Sequence, residues 1–268
     1  MKIFVVKFGG NAISNEQVLD SLIADTIALQ KENAWVVLVH GGGTFVNEAL
    51  KEVGKSTTKI QGLRVTDEET LDIAVRTFSN LNEHLCKKFQ EQGVGAISLC
   101  SKTHNVFKSK KMELTQDGEK IDLGWVGEIK GVDPGLIESW MFAGWLPIIS
   151  PFGSDEAGNL YNLNADHAAL AVAKALNAHG LFFMTDVSGV LKNLKDKDSI
   201  IPHLTPQSVQ CLIDEGTISG GMLPKIKSCV EGVTNGVDQI SILNSFEPHA
   251  LLKAFATPNK MGTLITAA

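Results

Sequence analysis

Near its N-terminal end the chain reads Ile3-Phe4-Val5-Val6-Lys7-Phe8-Gly9-Gly10, and a helical pattern follows. The apolar residues predict a buried β-strand that ends close to Lys7. Glycines let backbone N–H groups approach an oxyanion, and a helix N-terminus adds positive partial charge. The stretch therefore predicts an anion site built from Lys7, Gly9 and Gly10, in an α/β chain.

A second stretch repeats this arrangement. The apolar run Trp35-Val36-Val37-Leu38-Val39 leads into His40-Gly41-Gly42-Gly43-Thr44. Two such loops indicate a phosphate ligand, and Lys7 indicates that the phosphate is transferred. The stretch from Ala49 to Ser56 nearly fits a P-loop, but it follows a helical pattern rather than a strand, so we do not count it as a third loop.

Composition and charge narrow the possible partners. The 268 residues are 44% hydrophobic and 20% charged, as in an ordinary globular protein. With 24 basic and 30 acidic residues, the chain has a net charge of −6 at pH 7. General binding to nucleic acid or to an acidic membrane is therefore not expected. The scattered cysteines favour reduced thiols, and no apolar run is long enough for a membrane span. We expect a cytoplasmic protein that acts on small molecules.

Short apolar runs alternate with helical patterns, which is typical of a mostly parallel sheet covered by helices. The strand candidates are residues 3–8, 35–40, 95–100, 145–150, 181–185 and 238–243. Ser14 is expected to cap a helix, and the alanine-rich stretch from Asp166 to Leu176 is expected to form another. Asp117-Gly118 separates two alternating segments, 105–114 and 119–130, which predicts a hairpin inserted over a ligand site.

Four further segments carry polar groups suited to ligand binding. They are Gly62-Leu63-Arg64-Val65-Thr66-Asp67, Tyr161-Asn162-Leu163-Asn164-Ala165-Asp166, Thr185-Asp186-Val187-Ser188-Gly189-Val190-Leu191 and Ser219-Gly220-Gly221-Met222-Leu223-Pro224-Lys225. Arg64 can hold a carboxylate through a bidentate pair. Plainer alternatives are that Arg64 is a surface cation, Asp166 caps its helix and Lys225 is an ordinary first-turn lysine.

In this order, these segments and the two glycine loops resemble the amino acid kinase family over essentially the whole chain. Within it, they are similar to the branch that phosphorylates N-acetyl-L-glutamate with ATP in arginine biosynthesis. The resemblance implies one domain over 1–268, folded as a three-layer α/β/α sandwich. Its lobe 1–176 would bind the amino acid and form a homodimer, and its lobe 177–268 would bind ATP with Mg²⁺ held through the nucleotide.

The resemblance also implies roles for individual residues. Lys7 and Lys225 would contact the transferring phosphoryl group, and Asp166 would hold both lysines in place. The acylated amino acid would be bound by Gly42, Gly43, Arg64 and Asn162. The ATP site would contain Gly9, Gly10, Asp186, Val187, Ser188, Gly189, Val190, Leu191, Thr217, Ile218 and Ser219.

These residue types suit phosphoryl transfer to a carboxylate. Such a nucleophile has a pKa of about 4.3 and is already ionised near pH 7, so no general base is needed. The reaction must bring two anions together and stabilise charge on the transferring group. Lysines, backbone amides, helix N-termini and the Mg²⁺ that arrives with ATP supply that charge.

Some positions depart from the family pattern. Thr44-Phe45 replaces the usual Pro-Gln, Glu83 replaces a lysine, and Ser98, Ser101 and His104 replace glycines in the stretch from Ser98 to Asn105. These changes leave other acceptors open, namely an N-blocked aminoadipate or N-succinylglutamate. A catalytically silent ligand sensor is the alternative of a different class. The family members inhibited by arginine are hexamers with an extra N-terminal helix, so we expect a homodimer without arginine inhibition.

Overall fold

The computed structural model describes residues 2–100, 104–116, 118–193 and 195–268. In chain order, its strands are β1 Lys2–Phe8, β2 Ala34–His40, β3 Lys59–Ile60, β4 Leu63–Arg64, β5 Ala96–Leu99, β6 Phe107–Lys111, β7 Leu114–Gln116, β8 Glu119–Ile121, β9 Gly127–Val132, β10 Leu146–Ile149, β11 Phe152–Ser154, β12 Leu160–Asn162, β13 Gly180–Thr185, β14 His203–Leu204, β15 Ile240–Asn244 and β16 Thr263–Ile265. The α-helices are α1 Gly10–Ile13, α2 Glu16–Lys31, α3 Gly43–Glu52, α4 Glu68–Glu91, α5 Pro134–Phe142, α6 Ala165–Ala175, α7 Pro206–Asp214, α8 Met222–Thr234 and α9 Ala250–Ala256.

Contacts between residues divide the chain into two units. The terminal unit combines Met1–Leu38 with Val172–Ala268, and the middle unit is Val39–Ala171. This division differs from the lobes 1–176 and 177–268, because β1 pairs with β13 and so packs with the C-terminal part of the chain. Which lobe binds the amino acid and which binds ATP stays a prediction.

The sheet of the terminal unit has the strand order β14-β16-β15-β13-β1-β2. The β1–β13 and β13–β15 pairs are parallel, and β16 runs antiparallel to β15. Its central residues are buried and apolar on both faces, with Val5, Leu181 and Ile240 fully buried. The predicted α/β class, with a mostly parallel sheet and helices on both sides, is confirmed.

The middle unit contains the parallel pair β5–β10, in which Leu146 lies opposite Ala96. It also contains a smaller sheet with the order β12-β11-β6-β9. The predicted hairpin is confirmed, because β6 pairs antiparallel with β9 and β7 pairs antiparallel with β8 near its tip. Asp117 in its turn lies outside the described residues, as do Ser101, Lys102 and Thr103 in the loop that departs from the family.

The helix predicted after the first glycine loop begins differently from the expectation. Ser14 is the C-cap of the short helix α1, and Asn15 caps α2 by accepting a hydrogen bond from Val18 N at 3.2 Å. The prediction of Ser14 as the cap was wrong by one residue, because a separate turn of helix, α1, stands between the glycines and α2. No helix within the described residues is long and apolar enough to cross a membrane.

His40 ends β2 and is fully buried in the middle unit. Its Nδ1 lies 3.1 Å from Gly41 O, and its ring meets Phe78 edge-on. Among the described residues, Nε2 has no hydrogen-bond partner. Burial lowers the pKa of His40 to about 4, so the imidazole is neutral at pH 7. The structure thus gives His40 a packing role, although one of its two nitrogens is left unpaired.

Acidification is expected to destabilise the fold through His40. The unfolded chain binds a proton on this ring near pH 6.5, whereas the folded chain binds one only near pH 4. The contribution of neutral His40 to the free energy of unfolding is therefore complete above about pH 6.5. It is lost as the pH falls to about 4, which lowers the free energy of unfolding by roughly 3 kcal/mol in total. Urea unfolding at pH 7 and 4.5 measures this loss. His40→Gln should lack most of it, and His84→Gln, at an exposed position on α4, should retain it. A full pH dependence in His40→Gln would contradict the assignment.

Candidate active site

Lys7 lies near the end of β1 in the terminal unit and is half-buried. It pairs in register with Phe183 of β13. Because paired residues of neighbouring strands project from the same face of a sheet, the Lys7 side chain leaves the sheet beside the Phe183 ring. Gly9 follows and caps α1, and an added Cβ at Gly9 would meet no atom within 4 Å. The backbone at Gly9, just before the buried Gly10, is therefore open to a ligand.

Lys225 lies in the first turn of α8, also in the terminal unit. Its Nζ is 4.9 Å from the centroid of the Phe183 ring, and that ring is 1% exposed. An ammonium over an aromatic face is attracted by the negative charge density of the ring. The structure therefore directs Lys225 toward the sheet, over the ring of the residue that pairs in register with Lys7.

The segment expected to bind ATP begins where β13 ends. Asp186 and Val187 are exposed, and Val187 N donates to Thr185 Oγ1 at 3.0 Å. Gly189 has a φ of +140°, and a Cβ there would lie 2.7 Å from Thr263 Oγ1. Both the positive φ and the short distance to Thr263 require glycine at this position.

The remaining predicted ATP residues divide into exposed and buried ones. Val190 and Ile218 are each 2% exposed, so only their backbone atoms could reach a nucleotide. The half-buried or exposed ones are Ser188, Leu191, Thr217 and Ser219. Ser188 Oγ accepts a hydrogen bond from Asn244 Nδ2 at 3.5 Å.

The middle unit carries the residues expected to bind the amino acid. Arg64 is 8% exposed, so the alternative of a surface cation is wrong. Its Nη2 donates to Gly43 O at 3.0 Å and its Nη1 donates to Thr57 Oγ1 at 2.7 Å. Burial lowers the pKa of Arg64 below its ordinary value, but a guanidinium stays charged in proteins. A buried cation beside a glycine loop is suited to binding a carboxylate.

Gly42 is the N-cap residue of α3 and Gly43 is its first residue, and no side chain caps this helix. An added Cβ at Gly42 would lie 2.5 Å from Phe78 Cε1, so close packing requires glycine there. A Cβ at Gly43 would lie 3.7 Å from Arg64 Nη2, which is an ordinary contact. Close packing against Phe78 is therefore enough to explain the glycine at position 42, whereas packing does not require a glycine at position 43.

Asn162 lies at the end of β12 and is linked to Arg64 through Thr66. Asn162 Nδ2 donates to Thr66 Oγ1 at 3.2 Å, and that hydroxyl donates to Arg64 O at 2.7 Å. Thr66 is fully buried. The structure thus brings two predicted substrate-binding residues into one hydrogen-bonded chain. Thr66, which joins them, lies in the predicted segment from Gly62 to Asp67, but its sequence position gives no sign of this role.

Asp166 is half-buried in the first turn of α6. The cap of that helix is Asn164, whose Oδ1 accepts from Asp166 N at 2.8 Å and from His167 N at 3.2 Å. The Asp166 carboxylate is therefore not the cap of its helix, contrary to the plainer alternative. Its expected action on the two lysines stays a prediction.

Asp155 is a second residue that the sequence analysis missed. Its Oδ1 accepts from Asn159 N at 2.9 Å, and its Oδ2 accepts from Tyr161 OH at 2.9 Å. The hydrogen bond from the Asn159 side chain is the main cause that holds the pKa of Asp155 below its usual value. This turn fixes β12, and with it the position of Asn162.

Asp67 caps α4, immediately after the arginine segment. Its Oδ1 accepts from Thr70 N at 2.9 Å, and Lys55 Nζ lies 2.7 Å from its Oδ2. Lys55 also contacts Glu69 Oε2 at 2.8 Å. The hydrogen bond from Lys55 is the main cause that lowers the pKa of Asp67 to about 2. The pair ties the segment after α3 to the start of α4.

Comparison with known proteins agrees with these motifs. The sequence model of the amino acid kinase family matches residues 2–244. The acetylglutamate kinase of Methanococcus maripaludis is 39% identical over 267 residues, covering 98% of this chain and 91% of that relative. The smu.665 protein of Streptococcus mutans has a TM-score of 0.80 and 30% identity, with 99% of each chain covered.

A longer solved protein shares the fold. The N-acetylglutamate synthase of Neisseria gonorrhoeae, solved with coenzyme A and N-acetyl-glutamate, has a TM-score of 0.86 and 25% identity. The match covers 99% of this chain and 59% of the synthase chain. With a family model that matches most of its length, this chain belongs to the amino acid kinase family.

Proposed function

We propose that this chain transfers the γ-phosphoryl group of ATP to the side-chain carboxylate of N-acetyl-L-glutamate. The products are N-acetylglutamyl 5-phosphate and ADP, and the reaction is the second step of arginine biosynthesis. The observation that carries the acceptor class is the buried Arg64, held at both Gly43 and Thr57. The full-length similarity to an acetylglutamate kinase supports the specific acceptor.

The residues of each unit suit one part of this reaction. In the middle unit, Arg64 and Asn162 bind the acceptor and orient it. In the terminal unit, Lys225 lies over the Phe183 ring and Lys7 pairs in register with Phe183, and the two lysines stabilise the phosphoryl group in transfer. A carboxylate oxygen forms the new bond to phosphorus as the bond to the ADP oxygen breaks, and no proton has to be removed.

ATP with Mg²⁺ is the proposed phosphoryl donor. The open backbone at Gly9 and the ammonium of Lys225 fit a polyphosphate, and Gly189 lets the chain turn tightly in the segment expected to contact the nucleotide. Mg²⁺ bound through the phosphates supplies further positive charge. Within the described parts of the chain, no group of three or more histidine, cysteine, aspartate or glutamate side chains could hold a metal ion, and a metal held by the nucleotide needs none.

Trapping with hydroxylamine tests the acceptor. The chain is incubated with ATP, Mg²⁺ and hydroxylamine, together with glutamate, N-acetylglutamate, N-succinylglutamate or N-acetylaminoadipate. We expect hydroxamate only with N-acetylglutamate. A preference for another acceptor would keep the chemistry but contradict the assigned substrate.

A ligand sensor without catalysis is the second candidate. The match to 59% of the synthase chain shows that this fold also occurs as one part of a longer protein, where it need not carry out phosphoryl transfer. Measurable ATP binding without hydroxamate from any acceptor would support the sensor. Lys225 over Phe183, with Lys7 paired in register with that phenylalanine, favours the kinase, because a sensor needs no charge for phosphoryl transfer.

We also propose a cytoplasmic homodimer that arginine does not inhibit. The homodimer follows from the resemblance to the amino acid kinase family, in which arginine inhibition belongs to hexameric members. Sedimentation equilibrium should give twice the mass of the chain. Arginine at about 10 mM, a concentration above typical KM values, should leave the rate unchanged. A hexamer or strong inhibition would overturn this part of the proposal.

A further inference from the structure

The guanidinium of Arg64 is held at two of its nitrogens. Nη1 donates to Thr57 Oγ1 at 2.7 Å, and Nη2 donates to Gly43 O at 3.0 Å. A guanidinium is planar and has five N–H donors in a fixed fork. Bonds from two different nitrogens therefore fix both the position of the group and the orientation of its plane, which decides where the other donors point.

Thr57 itself is held firmly against this arginine. Two residues before it, Lys55 is bound to Asp67 and Glu69 at the start of α4. One residue after it, Thr58 O accepts a hydrogen bond from Val65 N at 3.0 Å. The hydroxyl of Thr57 is therefore set on a segment that is fastened on both sides.

The other of these two contacts is with the backbone of a glycine, which no side-chain substitution can remove. Of these two hydrogen bonds, a side-chain substitution can remove the one to Thr57 Oγ1 and leave the one to Gly43 O in place. Removing it leaves Nη1 of a buried cation without that acceptor. Hydrogen bonds that involve a charged group contribute more than neutral ones.

We propose that Thr57 is a positioning residue for substrate binding: its hydroxyl orients Arg64 to receive the α-carboxylate of the acceptor. The inference rests on the proposed function, in which Arg64 binds the acylated amino acid. Thr57 does not touch the reacting oxygen or phosphorus. Its removal should therefore affect acceptor binding and leave the transfer step unchanged.

Steady-state kinetics of T57V, T57S and T58V test this role. T57V should raise the KM for N-acetylglutamate about tenfold or more and leave kcat and the KM for ATP within about twofold. T57S keeps the hydroxyl and should restore the KM. Thr58 is exposed, so T58V makes the same chemical change beside the site and should behave as the unmodified chain.

A second acceptor identifies which group Arg64 binds. 4-Acetamidobutyrate has the acetamido group and the reacting carboxylate of N-acetylglutamate but lacks the α-carboxylate. T57V should leave its KM unchanged. An equal rise in KM for both acceptors, a fall in kcat alone, or failure of T57S to restore binding would overturn the positioning role.

The inference can fail separately from the proposed function. If the unmodified chain makes no hydroxamate from N-acetylglutamate, the proposed function has failed. The orientation of Arg64 is then measured by NMR on protein labelled with ¹⁵N-arginine. Rotation of the Arg64 guanidinium should be slow in the unmodified chain and in T57S, and faster in T57V. Equal rotation in T57V and the unmodified chain would overturn the inference.

Discussion

Lys7→Ala is expected to lower kcat for acyl phosphate formation by at least about 100-fold, which is the size of the loss when one preorganised oxyanion donor is removed from a hydrolase. The reason is that Lys7 supplies charge from the strand position that pairs with Phe183, and Lys225 supplies a second charge over the ring of that phenylalanine. Lys225→Ala should give a loss of similar size. Lys7→Arg should not restore the rate, because a planar guanidinium cannot reproduce the compact ammonium.

Lys2→Ala is the matched control for Lys7→Ala, because Lys2 lies on the same strand and is exposed. It should leave kcat unchanged. Circular dichroism and thermal unfolding check that each variant is folded. A Lys7→Ala variant that keeps its rate within about threefold would remove Lys7 from the transfer step.

Gly124→Ala is expected to have the largest structural effect. Gly124 has a φ of +70°, and an added Cβ would lie 2.1 Å from Thr66 O. Because that atom belongs to the backbone, the segment that positions Arg64 must shift. Strain at positive φ together with the overlap should lower the free energy of unfolding by about 3 kcal/mol or more. The KM for N-acetylglutamate should rise as well, since Thr66 links Arg64 to Asn162.

Gly118→Ala separates the strain from the overlap. Gly118 lies in the same hairpin with a φ of +85°, and an added Cβ would meet no atom within 4 Å. Only the backbone strain remains, so the loss should be about 1 kcal/mol, with no change in KM. Urea unfolding compares the two variants. Equal losses in both would show that the close approach of Gly124 to Thr66 is not what requires glycine.

The main strands could be predicted because their side chains are apolar on both faces. The runs at 3–8, 35–40 and 181–185 correspond to β1, β2 and β13. The short strands β14 and β16 were not predicted, since two or three residues give too little periodicity. Nor does the order of segments along the chain reveal that β1 packs with the C-terminal part, because sheet pairing is set by tertiary packing.

The predicted site residues came from motifs, but their supporting contacts did not. A phenylalanine such as Phe183 in an apolar strand carries no sign that a lysine lies over its ring. The same holds for Thr57, whose contact with Arg64 depends on how the segment between α3 and α4 folds back. Asn164 rather than Asp166 caps α6, because the helix begins at Ala165.

The central claim is that phosphate is transferred to the side-chain carboxylate of the acceptor. N-Acetylglutamate with ¹⁸O in both oxygens of that carboxylate is incubated with the chain, ATP, Mg²⁺ and hydroxylamine. Hydroxylamine attacks the carbonyl carbon of an acyl phosphate, so the released phosphate keeps the oxygen that bridged carbon and phosphorus. ³¹P NMR should then show phosphate with one ¹⁸O atom. Phosphate without ¹⁸O would mean that ATP was cleaved by water, and it would contradict the account.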